Sequence, residues 1–383
     1  MNVTLDERQL AAVDHAAQYN DCIITGGAGT GKTLTIQAIA ERYDNRVVLM
    51  APTGKAAAQI RDRTGLQAYT IHRTLLYDGV DFRLTTKIQV PAIIDEASMI
   101  DSELMHHTLR YCRGPVVLVG DAAQLPPVGP GQPFHDLIRF KPSIVFELQR
   151  CYRASGAIHI AAQAVRAGKP PEKQHVSGGE VWQMIQTGPA QPTINRIVQW
   201  VKDGKYDPMQ DMILAPVYGD GEDDGGIDSI NAAVKAVLNP SEGGAIAVGD
   251  RVLCNKNFAT DDLWNGDIGT VTAIDSEKEM FVKLDRDAEE RQCDAEKCRN
   301  IKLAYCMSVH KAQGSQARRV FFVCLNRHAR MLSRALIYTG CTRAREACVV
   351  CGELQAFYRG LGQVTQKQTV LKHLFKMGEA VAR

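Results

Sequence analysis

The chain has 383 residues, 45% of them hydrophobic and 23% charged, and its 45 basic and 43 acidic side chains leave a formal net charge of only +2. That hydrophobic share excludes wholesale disorder and fibrous repeats, and the length allows two or three domains, each able to bury a core. Near-neutrality argues at first sight against a dedicated polyanion binder, although a whole-chain average conceals local stripes.

No window approaches 18 uninterrupted apolar residues, so no membrane-spanning helix is expected. The opening Met1-Asn2-Val3-Thr4-Leu5-Asp6-Glu7-Arg8 lacks the basic-then-apolar grammar of a secretory signal. A soluble cytoplasmic protein is the expectation. The eleven cysteines, scattered from Cys22 to Cys351, form no compact framework. Cys293, Cys298 and Cys306 lack a fourth ligand at zinc-binding spacing, and reduced, mostly buried thiols are the better reading.

In chain order, Cys22–Thr25, Val47–Met50, Ala92–Ile94 and Val116–Val119 read as short, fully buried strands, with amphipathic helices such as Leu34–Arg42 between them. That alternation predicts a parallel sheet covered on both faces. Residues 77–90 break the rhythm and read as a small hairpin, with Asp78-Gly79 or Asp81-Phe82 near its turn. A second α/β pattern begins near Leu148. It contains a strand at Met212–Ala215, a helix at Ile227–Leu238, strands at 301–306 and 319–325, a helix at Met331–Thr342 and a strand at 347–351. Residues 243–299 read instead as short strands and turns, a small β-barrel inserted in the second lobe.

Gly26-Gly27-Ala28-Gly29-Thr30-Gly31-Lys32-Thr33 fits G-x-x-x-x-G-K-[ST] between a strand and a helix. Glycines let backbone N–H groups curl around phosphate oxygens at a positive helix end, Lys32 reaches the β/γ-phosphates, and the Thr33 hydroxyl can hold Mg2+. Gly27, Ala28, Gly29, Thr30, Gly31, Lys32 and Thr33 are therefore the expected ATP-binding residues. Further on, Asp95-Glu96 ends the strand Ala92–Ile94. Paired acids there suit one carboxylate, Asp95, in the Mg2+ shell and another, Glu96, polarising an attacking water.

Those two motifs belong to many ATPases, and the series around them narrows the field. Ala51-Pro52-Thr53-Gly54-Lys55, Thr70-Ile71-His72-Arg73, Asp95-Glu96-Ala97-Ser98-Met99 and Gly120-Asp121-Ala122-Ala123-Gln124-Leu125-Pro126-Pro127 follow in order. Leu148-Gln149-Arg150-Cys151-Tyr152-Arg153, Ser308-Val309-His310-Lys311-Ala312-Gln313-Gly314-Ser315 and Tyr338-Thr339-Gly340-Cys341-Thr342-Arg343 come later. Motif by motif, from Gln9 to Arg345, the chain resembles the superfamily 1B DNA helicases of the RecD/Dda type. The resemblance implies two RecA-like parallel-sheet lobes, one at 1–76 and 91–147, the other at 148–242 and 300–383. It also implies a strand-separating pin at 77–90 and an SH3-like barrel at 243–299.

It further implies that Gln9 reads adenine, that Gly314 lies at the nucleotide, and that Gln124 senses the γ-phosphate. Arg153 and Arg343 would reach that phosphate from the second lobe, where guanidinium groups stabilise spreading charge. Pro52, Thr53, Thr70, His72, Ser308, His310 and Lys311 would lie on a single-stranded DNA track. Phe82 in the hairpin and Trp264 are candidate stacking aromatics, Trp264 being equally suited to the barrel core. Two departures stand out: Gln316 replaces the glutamate usual after H-K-x-Q-G-S, and the pin is short. The implied activity is ATP-dependent 5′→3′ translocation and unwinding of tailed or forked DNA by a monomer, with replication or recombination proteins as partners. A DNA-stimulated ATPase that remodels or loads without unwinding is the alternative. Consistent with a DNA ligand, Lys297 to Arg345 carries eleven Lys/Arg and no acid, while residues 203–228 carry eight acids and one base.

Overall fold

The computed structural model describes residues 5–151, 156–219, 224–258, 261–286, 288–365 and 367. The described residues form two compact units, one running to Cys151 and including Thr365 and Lys367, the other running from Gly156 to Val364. No helix among them is long and apolar enough to cross a membrane.

The first unit is built from α1 (Glu7–Ala17), β1 (Cys22–Gly26), α2 (Lys32–Arg42), β2 (Val48–Ala51), α3 (Gly54–Thr64), β3 (Ala68–Thr70) and α4 (Ile71–Thr74). It continues with β4 (Ala92–Ile94), α5 (Ser102–Tyr111), β5 (Val116–Gly120), α6 (Pro133–Phe140) and β6 (Val145–Leu148). All six strands pair in parallel, in the order β3-β2-β4-β5-β1-β6. Strand alternation sends Ile24, Ile93 and Val119 into one core with α1, α2 and α3. Ile23, Ile94 and Leu118 enter another with α4, α5 and α6. With both faces covered, the strands can be continuously apolar, as expected.

Three expectations need correction. Because β6 pairs with β1, the first unit extends past residue 147. Thr365 and Lys367 also belong to it rather than to the second lobe; the Lys367 ammonium is held by the carbonyls of Pro127, Val128 and Gly129. The hairpin is narrower than 77–90. Its one bridge joins Tyr77 to Phe82, and backbone bonds link Arg83 N to Leu76 O and Leu84 N to Leu75 O. The turn is at Asp78-Gly79: the Asp78 carboxylate accepts from Val80 N, Asp81 N and Arg83 Nε. By Ile88 the chain already bridges Cys112, so the second half of the segment belongs to the body of the unit.

The second unit comprises α7 (Ala157–Arg166), β7 (Gln174–Ser177), β8 (Glu180–Gln186), α8 (Ala190–Lys202), β9 (Met212–Ala215) and α9 (Ile227–Leu238). Next come β10 (Arg251–Cys254), β11 (Ile268–Ile274), β12 (Met280–Leu284), β13 (Glu290–Cys293), α10 (Ala295–Arg299) and β14 (Ile301–Leu303). β15 (Cys306–Ser308), β16 (Ala317–Cys324), α11 (Arg334–Cys341), β17 (Ala344–Gly352) and α12 (Leu354–Gly362) complete it. Its main sheet runs β15-β9-β16-β17-β8-β7, parallel except for β7 at the edge.

Inserted in it is a five-stranded antiparallel sheet, β13-β12-β11-β10-β14, around a separate core of Val252, Val271, Val282, Leu284 and Ile301. The single strand expected at 301–306 is in fact two: β14 closes the insertion and β15 opens onto the main sheet. The insertion therefore reaches Leu303 rather than 299. At the junction, Lys235 and Asp250 form a buried ion pair, with side chains 2% and 0% exposed. Burial alone would raise the Asp250 pKa, but Lys235, the Ala247 N–H, Tyr305 and Asn239 hold it below the usual carboxylate value.

Candidate nucleotide site and nucleic-acid track

The loop between β1 and α2 owes its shape to glycine. Gly29 and Gly31 adopt φ of +80° and +82°, the left-handed region. A Cβ on Gly26 would lie 2.5 Å from Thr30 Oγ1 and 3.0 Å from Leu148 Cβ, so any larger residue would have to displace its neighbours. Gly31 caps α2 without a side chain, leaving the first N–H groups of the helix directed at the loop. The Thr30 hydroxyl donates to Gly27 O at 2.9 Å, and Lys32 Nζ donates to Gly26 O at 2.8 Å and Gly27 O at 3.0 Å. Phosphate oxygens are stronger acceptors for that ammonium than these neutral carbonyls.

Opposite, β4 delivers Asp95, whose N–H donates to Met50 O at 3.0 Å. Its carboxylate accepts the Glu96 N–H at 2.8 Å. Burial first, then the Glu96 charge, pushes the Asp95 pKa up, against the pull of Lys32 and Arg63. Glu96 sits at φ +52°, an uncommon conformation for a non-glycine residue, and its buried Oε2 has no hydrogen-bond partner. The Thr33 hydroxyl and the Asp95 carboxylate are hard oxygen donors of the type Mg2+ takes, and the unsatisfied Glu96 oxygen beside them fits a site meant for a hydrated ion.

Gln9 is fully buried on α1. Its Oε1 accepts the Asp6 N–H at 2.9 Å in a capping box, and its Nε2 donates to Thr30 O at 3.2 Å. In this conformation it braces the phosphate loop. Gln124, 5% exposed just beyond β5, carries an unpartnered Oε1, and so do Thr25 (Oγ1) and Ser98 (Oγ). Sequence reasoning passed over Thr25 and Ser98, since a hydroxyl gives no sign of being unsatisfied until its neighbours are known. It also passed over Cys151, whose thiol donates to Ala28 O at 3.5 Å.

In the second unit, Arg343 is 5% exposed and donates to Thr339 O at 2.9 Å, Ser315 O at 3.3 Å and Thr342 Oγ1 at 3.3 Å. All of these acceptors are neutral, and no described carboxylate pairs with it. Gly314 turns at φ +70°, and the adjacent Gln313 Nε2 and Ser315 Oγ are buried without partners. Arg153 lies outside the described residues.

Among the expected track residues of the first unit, Pro52 and Thr53 are half-buried, and Thr53 caps α3 by accepting from Ala56 N at 3.2 Å. Thr70 caps α4 through Arg73 N at 3.1 Å. His72 packs its ring on Tyr77 and Phe82, and burial lowers its pKa. Phe82 is a correction. At 8% exposure, 4.6 Å from the His107 ring, it belongs to the core and presents no face to a base. The exposed aromatics nearby are Tyr77 and Tyr69, the latter under the Arg73 guanidinium at 4.6 Å.

In the second unit, Ser308 is buried and accepts Lys311 N at 3.2 Å, while His310 is half-buried. The Lys311 ammonium bonds Asn265 of the insertion, and burial lowers its pKa. Trp264 is half-buried, its indole N–H given to Asp262 at 2.8 Å. The basic stretch is much less bare in space than in sequence. Arg318 and Arg319 both bond the fully buried Asp211 carboxylate, Arg327 faces Asp224 at 3.8 Å, and Lys297 pairs with Asp294 and Asp261. Arg299, Lys302, Arg330 and Arg345 are exposed with no described partner.

A family model described as an AAA domain matches residues 4–199, and one described as a UvrD-like helicase C-terminal domain matches 303–351. The chain is similar to the ATP-dependent RecD2 DNA helicase of Deinococcus radiodurans, at 32% identity over 373 residues, 92% of this chain and 50% of the relative. It is also similar to the RecBCD enzyme subunit RecD of Mycolicibacterium smegmatis, at 29% identity, covering 90% of this chain and 71% of that subunit. It thus spans about half the length of the first of these. The fold matches that of the Pif1 helicase from Bacteroides crystallised with ADP-AlF3 and single-stranded DNA, with a TM-score of 0.59, 17% identity and coverage of 99% and 98%.

Proposed function

The chain belongs to the superfamily 1B helicases of the RecD, Pif1 and Dda type, and on that footing we propose that it is an ATP-driven 5′→3′ translocase on single-stranded DNA that separates duplex ahead of it. The observation that carries this reading is the Asp95-Glu96 pair. A glutamate held at φ +52° with a buried, unpartnered oxygen has an acceptor to spare for an attacking water, and simple nucleotide binding does not require one.

In the proposed cycle the glycine loop and Lys32 bind the triphosphate, and Glu96 accepts the proton of the attacking water. Mg2+, held by Thr33 and Asp95, would supply charge neutralisation at the phosphates. Gln124 reports on the γ-phosphate, and Arg343 exchanges a neutral acceptor for a phosphoryl oxygen during turnover. Thr53, Thr70, His72, Ser308 and His310 grip the strand, and the exposed basic side chains of the second unit meet its phosphates. Tailed or forked duplex is the substrate that this cycle requires.

One observation favours a second reading, an ATP-gated remodeller that moves on or clamps DNA without unwinding it. The hairpin has a single bridge and a four-residue turn, a small wedge for parting base pairs. A strand-displacement assay on duplexes with a 5′ or a 3′ tail decides. The expected outcome is ATP-dependent displacement from the 5′ tail only. DNA-stimulated ATPase with no displacement from either tail would select the remodeller, and displacement from the 3′ tail alone would reverse the polarity.

A further inference from the structure

Four buried polar atoms without partners gather at the carboxyl ends of three neighbouring strands: Thr25 Oγ1 on β1, Glu96 Oε2 and Ser98 Oγ after β4, and Gln124 Oε1 after β5. Gly120 lies beside two of them. It stands opposite Thr25 in the ladder, and a Cβ built on it would lie 3.0 Å from Ser98 N. Ile23 and Leu118, two residues before Thr25 and Gly120, face the core shared with Ile94 and Phe134, so Thr25 faces the same side as Ser98. Thr25 is 5% exposed and Ser98 0%.

A buried hydroxyl with nothing to bond is costly, and one such group in a core is an oddity. Four at the ends of three adjacent strands, one of them a carboxylate oxygen, offer the partners that buried water takes. We propose that Thr25 and Ser98 are positioning residues that, with Gln124, hold a chain of buried water against the Glu96 carboxylate, fixing that carboxylate for proton acceptance. This rests on the reading of Glu96 as the base, and it assigns work to two hydroxyls that find no protein partner. Glycine ends β5 for a steric reason: a side chain at 120 would press on the Ser98 backbone and on Phe134.

The test is Thr25→Val, which keeps the shape of the side chain and removes the hydroxyl, beside Thr25→Ser, which restores it. Two quantities are read: melting temperature without nucleotide, and ATP turnover with its KM. If water is held, the valine variant melts at or below the wild-type temperature, because the water loses a partner. Its turnover falls about tenfold with KM within roughly twofold, and serine recovers both. Combining Thr25→Val with Ser98→Ala should then cost less than the two single losses added, since both act on one chain. A valine variant that melts higher than wild type means a dry, merely unsatisfied hydroxyl and overturns the proposal. Unchanged turnover overturns it as well. Wild-type protein that binds but never hydrolyses ATP would instead remove the ATPase reading, while the melting comparison still reports whether water is present.

Discussion

The heads of the first sheet and the junction of the second unit are both rich in buried polar groups, and they treat them in opposite ways. At the junction the groups around the Asp250 carboxylate are matched. Lys235 donates to Asp250 and to Asn239 O, Asn239 and Tyr305 donate to Asp250 Oδ1, and the Ala247 N–H donates to its Oδ2. At the ends of β1, β4 and β5, oxygens of Thr25, Glu96, Ser98 and Gln124 are unmatched. A saturated network holds its shape by itself, whereas the unmatched oxygens are the ones we assign to buried water. Burial alone would have ranked the two places alike.

That contrast can be broken by substitution. The largest effect is expected from Glu96→Gln, which should lower ATP turnover by roughly 10²–10⁴ while leaving nucleotide binding intact; turnover near wild type would return Glu96 to the class of structural acids. Next, Lys235→Met leaves the Asp250 charge buried without its counter-charge, and should cost about 3–5 kcal/mol in a denaturant titration, with Asp250→Asn on the same background recovering part of it. A loss below about 1 kcal/mol would show that the junction is wetter than its 0% exposed carboxylate implies.

The smallest effect concerns charges that only look available. Arg319→Ala should change the salt dependence of single-stranded DNA binding less than removal of an unpaired charge, since that residue shares the Asp211 carboxylate with Arg318. Arg345→Ala or Lys302→Ala should each flatten the log–log slope by about 0.7, the share of a single phosphate. An equal flattening at Arg319 would mean that the ion pair opens on DNA.

The sequence was most informative where chemistry is local. The phosphate loop needs its glycines within eight residues, and both the strand Ala92–Ile94 and the helix Ile227–Leu238 stand at their expected bounds. Where partners are distant in the chain, composition misled. The stretch from Lys297 to Arg345 contains no acid, yet Asp211, 107 and 108 residues away, bonds two of its arginines. Phe82 failed as a stacking residue for a similar reason: a hairpin aromatic is exposed only if the hairpin projects, and this one folds back on His72 and His107. The edge strand β7 has the pattern Gln-His-Val-Ser, too polar to signal a strand without its partner β8.

The break between β14 and β15 has a mechanical side. Only Ala304 and Tyr305 separate the last strand of the insertion from the strand that carries Ser308, and Tyr305 is itself fastened to Asp250 at the insertion's other root. Both roots are thereby clamped at one point. The inserted sheet is thus joined through Ala304 and Tyr305, with no slack tether, to β15, the strand that ends in Ser308.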